Sequence, residues 1–431
     1  MPEPPAHRPG FVVDGVPDTP HLAAVLHAGP EGIQLEVPLL EGVTDDHIKW
    51  FKDPTTIPDH LQFIDMHGST SLSGFRSRSS SRDLLRGTWL GTVEVSYFAM
   101  TGHRQPDYSE IHGLSSEIAG LPTWLEPDVF SDDTETDDAG RLQAATFRVE
   151  SRPDVTVPGV AGLLLSPHWH TEHDYANGSH TMRETVRVET RFEEPLPWTE
   201  HLRVHRSIQD LIALAFWHPT NLVVHSALRV DDPATTLDGT EWGEQWQTAI
   251  APHSGRRSKS SPVRPLTKNA RPLFYFDDIG ADGVATWMRE YDALGQAMWV
   301  LSSSLFRGGG TVEVQLLQVG TALEALGREV ALRSGRLEEG KFDKTFQFET
   351  ALIEVGEDTD CSLDKVLAGL TDIEAWAKAF NTTYKGVKHA DNALPNPNEA
   401  YLRGEQGALL ARLWLARHLG ADRSQLESRL H

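Results

Sequence analysis

Cysteine is nearly missing from this sequence: Cys361 stands alone among 431 residues. A single thiol excludes an internal disulfide framework and any CxxC zinc or redox site. Cations are scarce as well, with 39 Lys+Arg against 62 Asp+Glu for a formal charge of −23. That balance removes the basic footprint of a protein that coats nucleic acid, although an enzyme that briefly engages a few phosphates stays within bounds. No apolar run approaches the roughly 20 residues of a bilayer span. The opening MPEPPAHRPG has no basic segment leading into an apolar one, so no secretory signal is expected. Neither a GxxxxGK[ST] loop nor a GxSxG elbow occurs, which argues against a P-loop site and a serine hydrolase. The expectation is a soluble, reduced, cytoplasmic protein with no membrane partner.

At roughly 150 residues per domain, the length allows two or three domains, and the patterning divides the chain in two. Up to about Asp278 it favours short β-like segments: IQLEVPLL from Ile33, TWLGTVEVSYFAM from Thr88, QAATFRVES from Gln143, ETVRVETRFEEP from Glu184 and NLVVHSALRV from Asn221. They are rich in Val, Thr and aromatics and are separated by Gly, Pro and Asp clusters. HLRVHRSIQDLIALAFW interrupts them at helical spacing, and GLSSEIAGLPTWL reads as a second, short helix. After Asp278 the period becomes 3.6. One helix is expected from Val284 through Trp287, Tyr291, Leu294 and Met298 to Leu305, ended by RGGG. A second runs through Leu316, Leu323 and Val330 to a cap at Gly335, and a third holds Phe346, Phe348, Leu352 and Ile353. A fourth starts at a Thr371/Glu374 capping box ahead of Trp376 and Phe380. The last runs from about Glu399 to Gly420. The fold class is therefore multidomain α+β, a β-rich domain over 8–278 followed by an all-α helical bundle over 282–425.

Two basic, serine-rich stretches stand out: Arg76, Arg78, Arg82 and Arg86 in GFRSRSSSRDLLRG, and Arg256, Arg257, Lys259 and Arg264 in SGRRSKSSPVR. They read either as loops gripping an acidic partner or as solvated loops. SDDTETDD from Ser131 reads as a solvated loop. HWHTEHD brings His168, His170, Glu172, His173 and Asp174 together. It resembles the HxHxDH run of metallo-β-lactamase-type hydrolases, but Glu172 replaces the Asp and no downstream ligand set follows, so no metal is assigned. Glu324 and Arg328 form an i, i+4 pair, read as a surface ion pair. Trp124, Trp198 and Trp217 sit among apolar neighbours and read as packing.

Asn381, Lys385 and His389 are spaced i, i+4, i+8 and form one stripe if the helix continues that far. Lys388 and Asp391 flank His389, and Tyr384 lies one turn before Lys388. Cations beside an imidazole suit a phosphate and a proton transfer. The same cations in a last turn also simply complement the helix dipole by ~0.3–1 kcal/mol.

The helical half ending in YKGVKHADN, with the QVGTALEAL helix ahead of it, resembles the HEPN superfamily (higher eukaryotes and prokaryotes nucleotide-binding). With IHGLSSEIAGLPTWLEP, FEEPLPWTEHLRVHRSIQDLIALAF and RPLFYFDDIG before it, nearly the whole chain resembles the ApeA-like anti-phage proteins, in which a large β-rich N-terminal domain precedes a HEPN domain. The resemblance implies a metal-independent endoribonuclease that needs no cofactor and serves defence by abortive infection. Its substrate would be RNA, with tRNA one candidate, and two HEPN bundles would form a homodimer. The substrate's own 2′-hydroxyl would attack the adjacent phosphodiester, leaving a 2′,3′-cyclic phosphate. The implied site comprises His389, Lys385, Lys388 and Tyr384 as catalytic groups, with Asn381 and Asp391 holding substrate. The family places an Arg four to six residues before its His, at Tyr384, Thr383 or Thr382, and none of these is Arg. Lysine lacks the guanidinium fork, so the alternatives are a site working with lysines or a HEPN domain that only binds or dimerises. A His-cluster metal hydrolase is the remaining rival. The large N-terminal domain would gate the site until a phage-derived trigger arrives.

Overall fold

The computed structural model describes residues 7–15, 21–29, 32–42, 44–83, 86–102, 106–160, 162–236, 238–252, 266–267, 269–306, 310–338, 340 and 346–430. Six strands open the chain: β1 (His7–Val13), β2 (Leu22–Gly29), β3 (Gly32–Leu40), β4 (His60–Asp65), β5 (Gly68–Asp83) and β6 (Thr88–Gly102). They pair antiparallel in the order β6-β3-β2-β1-β4-β5, and β5 pairs back onto β6, closing a barrel. Period-two patterning makes its interior: in β3, Ile33, Leu35, Val37 and Leu39 point inward and meet Leu26, Phe63, Leu72 and Phe98. Arg8 and Asp65 pair across β1 and β4 at 2.6 and 2.9 Å inside this wall. Helix α1 (Asp45–Lys52) adds Ile48 and Trp50 to this core, and its Phe51 ring lies against Gly91 of β6.

The first serine-rich stretch is not a loop. It is β5, paired with β6 through Asp83. Serine has little strand preference, but β6 offers Val93, Val95, Tyr97 and Phe98 as a template, and tertiary pairing overrides local propensity. Arg82 lies 2.9 Å from Glu41 and 4.8 Å from the centre of the Trp89 ring. Arg256, Arg257, Lys259 and Arg264 of the second stretch lie outside the described residues.

A second antiparallel sheet follows, in the order β10-β11-β12-β7-β13-β16. Its strands are β7 (Glu110–Ile118), β10 (Val155–Thr156), β11 (Leu163–Asp174), β12 (Ser179–Pro197), β13 (Leu222–Leu228) and β16 (Trp246–Ile250). β16 joins it to the barrel through Ala249 and Ile250 on β6. GLSSEI is therefore a central strand, and only LPTWL forms the short helix α2 (Leu121–Leu125). The acidic run is a strand too: β8 (Phe130–Thr136) pairs with β9 (Leu142–Val149) as an exposed hairpin. A small pair, β14 (Ala234–Thr235) and β15 (Glu241–Gly243), completes the strands.

Helix α3 (Trp198–Phe216) covers the second sheet, with Leu202, Ile208, Leu211 and Ile212 in the core. Its other side meets the helical region: α4 (Phe276–Glu290), α5 (Gly295–Phe306), α6 (Val312–Arg333), α7 (Phe348–Asp358), α8 (Asp364–Leu367), α9 (Ile373–Lys388), α10 (Pro397–His418) and α11 (Arg423–Arg429). The expected helix through Val284–Leu305 is two helices, α4 and α5. Trp287 and Tyr291 are tethered to α3, by indole N–H to the Ser207 carbonyl at 2.8 Å and phenol to Asp210 at 2.5 Å. The chain turns after them, so that α5 packs on both α3 and α6. Gly280, at φ +62°, kinks the start of α4. One apolar core runs from the second sheet through α3 into α10 and α11, while the barrel keeps its own.

Candidate functional site

Helix α9 forms because Trp376, Ala377, Phe380 and Tyr384 recur at helical spacing and are all buried. Its N-cap is Asp372, whose carboxylate accepts from the Ala375 N–H at 2.8 Å, one residue after the threonine expected from the sequence. The helix ends at Lys388. His389 has extended backbone (φ −114°, ψ 122°), and its N–H donates to the Lys385 carbonyl at 3.0 Å. The i, i+4, i+8 stripe therefore stops at Lys385, and His389 leaves it on the first residue past the helix.

Lys385, Lys388, His389 and Asp391 are all exposed at this end. The Lys388 ammonium lies 5.1 Å from the centre of the Tyr384 ring, a cation–π contact that aims the lysine back along the helix. Asn392, which the sequence reading did not single out, donates its side-chain N–H to the Lys385 carbonyl at 3.1 Å. It gives that carbonyl a second donor beside the His389 N–H and ties the HADN segment to the helix end. An Asn just past a lysine-rich helix terminus is the signal that would have found it.

Asn381 and Tyr384 face the other way. Asn381 is buried and donates to Glu349 of α7, while its side-chain carbonyl has no partner among the described residues. Tyr384 is 4% exposed and its ring stacks on Phe348 at 4.7 Å. Gly320 of α6 makes room for that ring, since a Cβ there would stand 2.5 Å from a Tyr384 ring carbon. Thr383 is buried as well, with its hydroxyl 3.0 Å from the Ala379 carbonyl and 3.3 Å from Glu399. The structure thus brings together two cations and one imidazole in solvent and sets Asn381 and Tyr384 behind them in the core. Glu349 carried no motif that sequence reasoning could have used.

The histidine run lies wholly on β11. His168 faces Glu189 at 3.8 Å, and His173 and His180 meet across the hairpin at 3.0 Å. Among the described residues no group of three His, Cys, Asp or Glu side chains is arranged to hold a metal ion. Among the same residues no helix is long and apolar enough to cross a membrane. Glu324 and Arg328 of α6 are both exposed. Trp124 and Trp198 are fully buried, and Trp217 packs beneath the Arg412 guanidinium.

Neither the curated proteins nor the solved structures include a match to this chain. The family model described as ApeA N-terminal domain 1 matches residues 11–289, from β1 through all of both sheets and α3 to the last turn of α4. A match over well more than half of the chain fixes its kinship: it belongs to the ApeA N-terminal domain 1 family.

Proposed function

We propose that this chain is an anti-phage defence protein whose helical region is a HEPN-type, metal-independent endoribonuclease acting by abortive infection. The observation that carries this reading is the exposed end of α9, where Lys385, Lys388 and His389 stand within one turn of each other. A phosphodiester held by the two ammonium groups would present its 2′-hydroxyl to the imidazole. His389 would move that proton, and the cations would offset charge growing on the phosphate. Asp391 would orient the imidazole or the ribose. Tyr384 and Asn381 would act from behind, positioning Lys388 and the α9–α7 contact. Two copies would join through the bundle, and the β-rich region would restrain the site until a phage-derived signal binds.

The decisive experiment is RNA cleavage by the full chain in EDTA, wild type against His389→Ala, with product ends identified. We expect 2′,3′-cyclic phosphate and 5′-hydroxyl ends that vanish in the variant. Cleavage that survives His389→Ala, or that EDTA abolishes, would overturn the reading.

A second reading has its own observation. Two of the three positions where HEPN nucleases carry their Arg, Thr383 and Tyr384, face the core, so the packing of α9 leaves no outlet there for a guanidinium. A HEPN module that binds or dimerises without cleaving fits that. It predicts no cleavage by the wild type even with lysate from infected cells added.

A further inference from the structure

A cleft of about 390 Å³ opens between the second sheet and the helices, within the size range of small-molecule sites, roughly 300–1,000 Å³. It exists because β12 ends at Pro197 and passes directly into α3, while α4 crosses α3 alongside. Phe192 and Leu196 of β12, Val204 of α3 and Met288 of α4 make its apolar lining. Its charged groups are Arg203, Arg289 and Glu200, a net positive rim on a chain of −23.

Both guanidiniums have donors to spare. Among the described residues Arg289 meets only the Thr286 hydroxyl of its own helix, at 3.0 Å. Arg203 pairs with Asp292 at 3.0 Å, with both side chains more than 60% exposed. Such a solvated pair contributes little and is readily exchanged for a better acceptor. Two forked cations above an aromatic and a thioether favour one kind of guest.

We propose that this cleft binds a small molecule of mononucleotide size, with a flat aromatic body and a phosphate group. The phosphate takes charge-assisted hydrogen bonds from Arg289 and Arg203. The aromatic body lies against Phe192 and Met288. Glu200 accepts from an amino or hydroxyl group of the guest. Because α3 and α4 both line the cleft, occupancy braces the seam between sheet and helices.

The test is calorimetric titration of the full chain with AMP, CMP, GMP and UMP, one at a time. Four proteins are compared: wild type, Arg289→Glu, Met288→Trp and the Lys385→Ala/His389→Ala double variant. At least one mononucleotide should bind the wild type. Its affinity should fall at least about tenfold in Arg289→Glu, the loss of one charge-assisted contact, and again in Met288→Trp, where the indole fills the cleft. It should be unchanged in the double variant. Arg289 is exposed, so its variant reports even if Met288→Trp fails to fold. The proposal is overturned if no mononucleotide binds at millimolar concentration. It is equally overturned if binding persists in Arg289→Glu and disappears in the double variant, which would place the guest at the α9 end and leave the nuclease reading standing.

Discussion

The Thr190 hydroxyl on β12 lies between two imidazoles of α3, 2.8 Å from His201 Nδ1 and 3.0 Å from His205 Nε2. Ser116 lies 2.6 Å from His205 Nδ1, and His201 Nε2 lies 2.9 Å from the Ile111 carbonyl. With both rings neutral, as their burial favours, only one assignment of protons satisfies all four contacts. Ser116 donates to His205, His205 to Thr190, Thr190 to His201, and His201 to Ile111. Each ring then carries its proton on Nε2. This chain of hydrogen bonds pins α3 to β7 and β12 at their centre.

Acid should loosen that pin. Burial lowers His205 to about 3 and His201 to about 4, from an ordinary 6.5, with the neighbouring ring charge adding to the His205 shift. The unfolded chain therefore binds more protons between those values. Stability is full above pH 6.5 and falls as pH drops from 6.5 toward 4 and then 3, by up to about 1.4 kcal/mol per pH unit for each histidine. Urea midpoints measured from pH 7.5 down to 4.5 should show this slope. A Thr190→Val protein should lose roughly 1–3 kcal/mol at pH 7.5, because both rings lose their shared partner. A flat pH profile would dispose of the proton assignment.

Arg412 of α10 should matter to the seam between the two regions. Its guanidinium donates to the carbonyls of Leu214 and Ala215 at 2.6 and 2.8 Å, capping α3, and lies 5.6 Å from the centre of the Trp217 ring. Burial pulls its pKa down to about 10, so it stays charged at neutral pH. Arg412→Met should cost roughly 2–4 kcal/mol through two lost charge-assisted hydrogen bonds, leaving the Ala215 carbonyl with the Leu273 N–H and the Leu214 carbonyl with a longer contact to the Trp217 N–H. Arg412→Lys should recover only part of it, since one ammonium does not reproduce the fork. Denaturant melts of the three proteins decide; a loss below about 0.5 kcal/mol in Arg412→Met would refute the cap.

Gly320→Ala should destabilise despite the better helix propensity of alanine. The propensity gain is about 1 kcal/mol, but the new methyl meets the buried Tyr384 ring, which Phe348 holds from the other side. Overpacking of this kind costs about 1–3 kcal/mol. Combining Gly320→Ala with Tyr384→Leu should restore part of the loss, and a double-mutant cycle measures that coupling.

His389→Ala and Lys385→Ala should leave stability within about 0.5 kcal/mol of wild type, because both side chains are exposed. The same changes should abolish RNA cleavage and protection against phage. A matched melting curve beside a lost activity separates a reaction role from a folding one.

His168→Ala/His170→Ala should leave RNA cleavage unchanged, with or without EDTA. Loss of cleavage in that protein, together with metal in the purified wild type, would instead place the chemistry on β11.

The sequence by itself determined the change of period near Asp278, the inward sides of strands such as β3, and the helix carrying Lys385 and Lys388. Those follow from local spacing, since burying one side of a strand or helix imposes period two or 3.6 on its own residues. The capping-box pattern put the start of α9 at Thr371, whereas Asp372 makes the cap, because a cap is decided by one side-chain hydrogen bond. Tertiary structure alone decided the rest. GFRSRSSSRD became a strand because β6 supplies a partner that its own serines do not demand. The helix through Val284–Leu305 broke because α3 holds Trp287 and Tyr291 in place. Asn381 and Tyr384 turned into the core while their neighbours Lys385 and Lys388 stayed in solvent, because which face of α9 is covered depends on where α6 and α7 lie. That placement is fixed by contacts between residues far apart in the chain, such as Gly320 with Tyr384 and Glu349 with Asn381, which no local pattern encodes.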